Sequence, residues 1–421
     1  MSVVASMTAA LRNRLIARAG GVDLTKLDRV PDRLAWPLLR DGVDPHPRLA
    51  RDRAKDPLQR LTSFMGLEIW LATGYDAARE VLGNVAFSSD IRPLMGASGD
   101  IESGDIGGLG FTDPPEHTRL RKLLTPEFTM RRLARLKPGI DAIIEHQLDE
   151  TEAALAVDGV ADLVKTFAFP VPFRVICDLL GLPDDERERF RQLGSARFDV
   201  TKGGAGAVGA IGGSREFLLA ETARQRHDPG PGLIGEIIRE HGEEINDFDL
   251  GGLADGAFNG GMETSASMLA LGTLVLLQNP ELWKAVGNDP DAVDPIVEEL
   301  LRHLSVVQVA FPRFVKEDTV VAGHRIKKGA VLLAHLPAAS RDPQVTDGEA
   351  LCPSQRSSTH VAFGHGLHRC VGAELARMEL RAAYPALARR FPDLHLAVDP
   401  DELEFHAKSI VFGIEALPVS G

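Results

Sequence analysis

The pattern of hydrophobic and polar positions in this chain is mainly helical. Apolar residues recur at helical spacing through most of the sequence, and Asn279-Pro280 ends the longest such run. The predicted helices cover 116–155, 170–197, Asp247–Gln278, 291–304 and a segment that begins just after Cys370. We expect Pro385 to stop or kink the last of these early. The pattern predicts a mainly α protein in which residues 1–421 form a single domain.

Two segments alternate as strands do. A short strand is predicted around Ile69–Ala72, and β-like alternation runs from 319 to 338 with turns at Gly323 and Gly329. Residues 339–369 are irregular. The sequence therefore predicts a small β region beside the helices.

Two glycine-rich stretches interrupt these patterns. Residues 84–112 are aperiodic, and a loop of this length inside a compact domain is usually functional. Residues 202–214 are interpreted either as a flexible surface loop or as a mobile lid over a buried site, and the sequence leaves their role open.

Composition and charge exclude several classes of protein. The chain has 421 residues, is 44% hydrophobic and carries a net charge of -13, which argues against nucleic-acid binding. Three cysteines do not suggest a disulfide framework, and a reducing compartment fits them. Arg12, Arg14 and Arg18 interrupt the N-terminal segment, so we expect neither a membrane span nor a signal peptide there. These features predict a cytoplasmic protein.

The segment Phe363–Gly372 carries the sharpest chemical signal. It places Cys370 after a glycine-rich loop and directly before a predicted helix. The positive end of a helix and its free N–H groups stabilise a thiolate. Gly366 and Gly372 allow a tight backbone turn and the close approach of a flat ligand. A cysteine in isolation would more simply be a small buried apolar residue, but the whole ten-residue context is patterned.

This segment closely resembles the haem-binding loop of the cytochromes P450, Phe-x-x-Gly-x-x-x-Cys-x-Gly, and its soluble bacterial form. The resemblance implies the P450 fold, with haem b between the long central helix and the helix after the cysteine. It also implies that Cys370 is the axial ligand of the haem iron, a type of ligand that favours O–O cleavage. Phe363 would pack near the sulfur, and His368 would lie near a haem propionate.

Further segments occur in the order that the family requires. Glu299 and Arg302 resemble its buried structural Glu-x-x-Arg pair, although in isolation such a pair is an ordinary solvated helix face. His117 and Arg121 share a helix face and resemble propionate partners, and Arg313 resembles a further one.

The middle of the long helix contains Gly260-Gly261-Met262-Glu263-Thr264. Two glycines cost helix stability and need a reason, which a close helix–helix contact could supply. The stretch resembles the family's oxygen-binding segment, where the helix opens to make room for dioxygen. By that resemblance Thr264 would hydrogen-bond dioxygen and Glu263 would relay protons, an apt role for an acid beside an alcohol.

The resemblance implies a haem-thiolate monooxygenase that activates O2 and inserts one oxygen atom, most simply as a hydroxyl, into a lipophilic molecule such as a fatty acid, terpenoid or polyketide. Apolar residues lie on the segments that line the family's pocket: Phe258, Met262, Val307 and Phe311. They fit a lipophilic substrate, and they equally fit core positions, because apolar positions in a long buried helix are usually core. Electrons would come from a separate ferredoxin and its NAD(P)H-dependent reductase, with Arg369, Arg132 and Lys122 as candidate docking charges. The resemblance also favours a monomer.

Four alternatives stay open at this point. The same fold could catalyse epoxidation or oxidative C–C coupling, and it could use peroxide directly, although peroxygenases typically lack the acid–alcohol pair that Glu263 and Thr264 resemble. A haem sensor or electron carrier is the fourth alternative, but a carrier would not need the substrate cavity that the glycine-rich stretches suggest.

Overall fold

The computed structural model describes residues 35–64, 67–90, 109–198, 204–346, 350–353, 359–406 and 408–421. Helices dominate these ranges, as predicted. They are α1 (Arg48–Arg53), α2 (Tyr75–Gly83), α3 (Glu116–Leu124), α4 (Met130–Leu133), α5 (Lys137–Asp158), α6 (Pro170–Leu180), α7 (Asp184–Phe198), α8 (Gly204–Gln225), α9 (Leu233–His241), α10 (Asp247–Leu277), α11 (Pro280–Asn288), α12 (Pro290–Leu304), α13 (Leu336–Ser340) and α14 (Ala373–Arg390). The N-terminal segment and most of the 84–112 loop lie outside the described residues.

The predicted small β region is confirmed. Its strands are β1 (Arg40–Asp41), β2 (Asp44–Pro45), β3 (Leu58–Phe64), β4 (Leu67–Ala72), β5 (Phe87–Ser88), β6 (Ala161–Asp162), β7 (Arg313–Val315), β8 (Thr319–Val321), β9 (His324–Ile326), β10 (Val331–Ala334), β11 (His395–Leu396) and β12 (Pro418–Ser420). The largest sheet has the order β3-β4-β10-β7-β5, in which β4 and β10 run parallel. It brings β5 and β7, far apart in sequence, side by side next to the helices.

Helix α10 forms the centre of the helical part, within one residue of its predicted bounds. The side chain of its N-cap Asn246 accepts a hydrogen bond from the N–H of Asp249, which satisfies one free donor of the first turn. The helix packs against α6, α8 and α14. By length and composition it is the one described helix that could cross a membrane, but 67% of its most apolar window is buried inside the protein. Its apolar character is therefore explained by its place in the core.

Two local predictions are wrong. Residues from Gly204 onward belong to α8, so the loop interpretation is wrong for them. Its C-terminal half is anchored by buried residues such as Phe217 and Leu218, so tertiary packing overrides the low helix propensity of glycine. Pro385 neither stops nor shortens α14, which continues to Arg390. Pro385 is itself buried, and the helix packs against α5, α10 and α11, which offsets the lost backbone hydrogen bond.

Candidate haem-binding and oxygen-activating site

The Cys370 loop turns tightly between the large sheet and α14. The N–H of Cys370 donates to the carbonyl of Phe363 at 2.9 Å, which closes the loop on itself. A 3₁₀ turn covers Gly366–His368, and α14 begins three residues after the cysteine. Cys370 therefore lies beside the positive end of an 18-residue helix, as the sequence predicts.

The glycines of this loop have different roles. Gly366 has φ +71, and a Cβ there would lie 2.7 Å from the Cα of Gly83, so both its conformation and its packing on α2 exclude a side chain. Gly364, not singled out from the sequence, also has positive φ, +69. Gly372 has φ -82, and a Cβ there would make only ordinary contacts. The tight turn thus depends on Gly364 and Gly366.

The surroundings of the sulfur have opposing effects on its ionisation. Cys370 is an exposed residue, yet enough protein surrounds the thiol that burial raises its pKa. A hydrogen bond from the N–H of Gly372 acts in the opposite direction, as do the charges of Arg121, Arg369 and Arg377. All of these opposing groups favour a negative charge on the sulfur, which is what a thiolate ligand requires.

Four cationic or hydrogen-bonding side chains converge near the loop. The rings of His117 and His368 lie 4.3 Å apart between centroids. Burial lowers the pKa of both imidazoles, that of His368 to about 4, and the charge of Arg313 acts in the same direction on each. Burial also lowers the pKa of Arg313 to about 10. Arg121 is half-buried, and its charge reaches both His117 and Cys370. Thus α3, β7 and the cysteine loop bring together the residues that the sequence suggested separately.

This cluster has few partners within the described part of the chain. Neither ring nitrogen of His117 has a hydrogen-bond partner, although the residue is 0% exposed. Arg313 donates only to the carbonyls of Phe311 and Pro312. His368 Nε2 lies 3.1 Å from the hydroxyl of Ser89, a neighbour not identified from the sequence. Unsatisfied buried donors carry a free-energy cost, so the arrangement fits an anionic group that would accept from them.

The face of α10 that carries the predicted acid–alcohol pair is open. Gly260 is exposed, and a Cβ there or at Gly256 would meet nothing within 4 Å. The hydroxyl of Thr264 donates to the carbonyl of Gly260 at 2.7 Å, and Glu263 is half-buried beside it. The helix is continuous through this stretch and does not open, so the space comes from the missing side chains.

Neighbouring positions on α10 face the core. A Cβ at Gly261 would lie 2.8 Å from Cδ1 of Ile176, so the contact with α6 explains this second glycine. Phe258 and Met262 are both 0% exposed, and the ring of Phe258 packs 4.4 Å from that of Phe190. These two residues are core, whereas the sequence had suggested pocket walls.

Phe311, by contrast, is 50% exposed, and it lies two residues before Arg313 of the cationic cluster. Its ring meets that of Phe111 edge to face, with centroids 4.7 Å apart. A Cβ at Gly110 would lie 2.9 Å from the Phe311 ring, so glycine is needed for this approach. The pair is an exposed aromatic surface at the edge of the site.

A buried acid links the two principal helices. Glu379 of α14 is hydrogen-bonded to Ser265 of α10, the residue after Thr264. Its Oε2 has no partner among the described residues, and burial raises its pKa to about 8. The sequence contained no local signal for this contact, since 114 residues separate its two members.

Comparison with known proteins agrees with this geometry. The family model "Cytochrome P450" matches residues 232–414. Cytochrome P450 165C4 of Amycolatopsis orientalis is 39% identical over 90% of this chain and 96% of its own length. Cytochrome P450 monooxygenase PikC of Streptomyces venezuelae is 37% identical over 90% of this chain and 91% of its own.

The chain belongs to the cytochrome P450 family.

Solved P450 structures have the same fold. OxyE (CYP165D3), a P450 involved in teicoplanin biosynthesis, superposes with a TM-score of 0.84 at 35% identity, over 92% of this chain and 99% of its own. OxyC, a P450 implicated in an oxidative C–C coupling reaction during vancomycin biosynthesis, superposes with a TM-score of 0.82 at 38% identity, over 91% of this chain and 96% of its own. The predicted P450 fold and enzyme class are thereby confirmed.

Membership implies a haem cofactor, and the residues present fit one. The thiol of Cys370 would ligate the iron, and the donors of His117, Arg121, Arg313 and His368, which are buried or half-buried, would match the anionic propionates that every haem of this type carries. Bound haem supplies the activation of dioxygen. Gly260 leaves open space beside Thr264, so the alcohol is accessible from the open side of α10.

Proposed function

We propose that this P450 is a single-domain haem b monooxygenase that inserts one oxygen atom of O2 into a lipophilic substrate, with Cys370 as the axial thiolate. One observation carries the proposal. The Cys370 loop is flanked by a cluster of buried donors around His117, one of them wholly without partners. A flat cofactor with anionic groups and a metal that binds thiolate accounts for both the cysteine loop and the donor cluster.

The chain's own residues divide the remaining work. His117, Arg121, Arg313 and His368 hold the propionates and so fix the orientation of the cofactor. Thr264 places its hydroxyl on the open side of α10, where it can orient a proton, and Glu263 beside it can exchange protons with solvent. Gly260 and Gly366 contribute by having no side chain.

Electrons come, in this proposal, from a separate ferredoxin and its NAD(P)H-dependent reductase, and the enzyme acts as a cytoplasmic monomer. Exposed positive charges on the cysteine side support an acidic partner. Arg369 and Lys122 are exposed there. Arg132 is a poor candidate, because it forms ion pairs with Glu127, Glu236 and Glu240.

Oxidative C–C coupling of aromatic rings is the second candidate. The edge-to-face pair of half-buried Phe111 and exposed Phe311 favours it, because such a surface suits an aromatic substrate. The relative OxyC is implicated in a reaction of the same class.

The thiolate assignment is tested by the ferrous–carbon monoxide spectrum. We expect the wild-type protein to show the red-shifted Soret band of a thiolate-ligated haem, Cys370→Ser to lose it, and Cys352→Ser, a control at a half-buried cysteine, to retain it. A wild-type complex without the band would refute the proposal. Lipophilic and aromatic compounds that change the ferric spectrum would then identify the substrate class.

Turnover under ¹⁸O2 separates the two candidate reactions. Oxygen insertion places one labelled atom in the product, whereas coupling of two rings removes two hydrogen atoms and leaves the product unlabelled. A labelled product supports the monooxygenase proposal, and an unlabelled product two mass units lighter than the substrate supports coupling.

A further inference from the structure

Arg377 of α14 covers the aromatic residue of the cysteine loop. Its guanidinium carbon lies 4.7 Å from the centroid of the Phe363 ring, within cation–π distance. Phe363 in turn accepts the N–H of Cys370 through its carbonyl. Arg377 is the fifth residue of α14, the helix that begins three residues after Cys370.

Three other side chains hold the guanidinium in place. Glu298 of α12 accepts from Nε at 2.5 Å and from Nη2 at 3.0 Å, and Glu374 accepts from Nη1 at 3.0 Å. His360 completes the network, with Nε2 3.3 Å from Glu298 Oε2. A two-point pair of this kind fixes the plane of the arginine as well as its position.

The electrostatics of the network are consistent with a permanently charged pair. Burial by itself would raise the pKa of Glu298, but hydrogen bonds from His360 and Arg377 outweigh it and lower that pKa to about 2. The Arg377 side chain is only 12% exposed, so solvent screens its charge weakly. This charge lies against the Phe363 ring, and the carbonyl of Phe363 accepts the N–H of Cys370, so the charge is next to the loop that carries the sulfur.

We propose that Arg377 is a positioning residue for the axial thiolate. It clamps the Phe363 ring beside the cysteine loop and places a buried positive charge next to that loop. This inference rests on the proposed role of Cys370 as ligand. The clamp sets how durable the thiolate ligation is, and the charge sets the reduction potential of the haem. Reduction adds negative charge to the site, so a nearby cation stabilises the reduced state.

Two substitutions at Arg377 separate clamp from charge. Arg377→Lys keeps the charge but loses the flat two-point pair. We expect the ferrous–carbon monoxide complex of this variant to convert several-fold faster from the red-shifted to the blue-shifted form. The midpoint potential of its haem should be nearly unchanged. Arg377→Gln loses both, so we expect the same fast conversion together with a lower potential. A tenfold shift of a one-electron equilibrium corresponds to about 59 mV.

Arg369→Gln is the matched control. Arg369 is exposed and directly precedes Cys370, whereas the cation that lies over the Phe363 ring is Arg377. We expect Arg369→Gln to lower the potential and leave the conversion rate near that of the wild type. Should Arg377→Gln not fold, the Glu298→Gln/Arg377→Met double variant removes both buried charges together, and of the carboxylates that pair with Arg377 only Glu374, 38% exposed, then lacks its partner.

A different result is expected if Arg377 only holds α12 and α14 together. Substitutions at Arg377 would then lower the thermal unfolding midpoint but leave the potential at the wild-type value, and that outcome overturns the charge role. A wild-type conversion rate in Arg377→Lys overturns the clamp. Absence of the red-shifted band from the wild-type protein itself refutes the thiolate ligand, a failure that is visible before any variant is made.

Discussion

The carboxylate of Glu299 and the guanidinium of Arg302 form a two-point ion pair, with both nitrogen–oxygen distances 2.7 Å. Their side chains are only 4% and 0% exposed. Arg302 also donates to the carbonyl of Ser340, and Glu299 accepts the N–H of Cys352. The pair therefore joins α12 to the end of α13 and to the irregular segment around Cys352, and burial distinguishes it from an ordinary helix-surface pair.

Glu299→Gln is expected to destabilise the protein by about 3–5 kcal/mol, because it leaves the arginine charge buried and uncompensated. Chemical unfolding monitored by circular dichroism measures the effect. Glu188 and Arg191 provide the control, since they pair at the same spacing and at 2.7 Å but are 62% and 48% exposed. Glu188→Gln should leave the unfolding midpoint almost unchanged. Equal effects of the two substitutions would contradict the importance of burial.

Arg121→Gln is expected to speed haem loss by about tenfold or more, since one charge-assisted hydrogen bond contributes roughly 1.5–3 kcal/mol. Transfer of haem to an excess of apomyoglobin measures the rate. Arg119 lies two residues away on α3 but pairs with Glu116 and Asp249, away from the cluster. Arg119→Gln should therefore release haem at nearly the wild-type rate, and a large effect there would argue against a specific role for Arg121.

Thr264→Ala is expected to lower the product formed per NAD(P)H several-fold and to release the difference as peroxide, because proton delivery fails. Thr264→Ser keeps the hydroxyl that donates to Gly260 and should retain most of the coupling. Thr273→Ala is the control, because Thr273 makes the same bond to a carbonyl four residues earlier but is buried. Unchanged coupling in Thr264→Ala would remove Thr264 from the mechanism.

Glu379 should make the stability of the protein depend on pH. Burial raises its folded-state pKa to about 8, far above that of an unfolded glutamate. Between about pH 4.5 and 8, Glu379 is protonated in the folded state but ionised in the unfolded state. The contribution of Glu379 to the free energy of unfolding therefore falls by up to about 1.4 kcal/mol per pH unit as pH rises. Glu379→Gln cannot ionise, so its stability relative to wild type should increase over that range in urea unfolding. Parallel stability profiles for the two proteins would show that Glu379 is not held neutral.

Features that depend on local spacing could be predicted from the sequence. Helical periodicity and the Asn279-Pro280 stop define α10 to within one residue, and the loop before Cys370 is recognisable because its glycines and cysteine are close together along the chain. The Glu299–Arg302 pairing also follows from three-residue spacing on a helix.

Only the tertiary structure decided which residues meet across the chain and how deeply they are buried. His117, Arg313 and His368 come from three separate elements, and the contact of Ser265 with Glu379 spans two helices. Burial also assigned Phe258 to the core and Phe311 to the exposed edge of the site, although both are phenylalanines in apolar segments. Desolvation and long-range contacts depend on the packing of all elements together, whereas periodicity and spacing report only on neighbours along the chain.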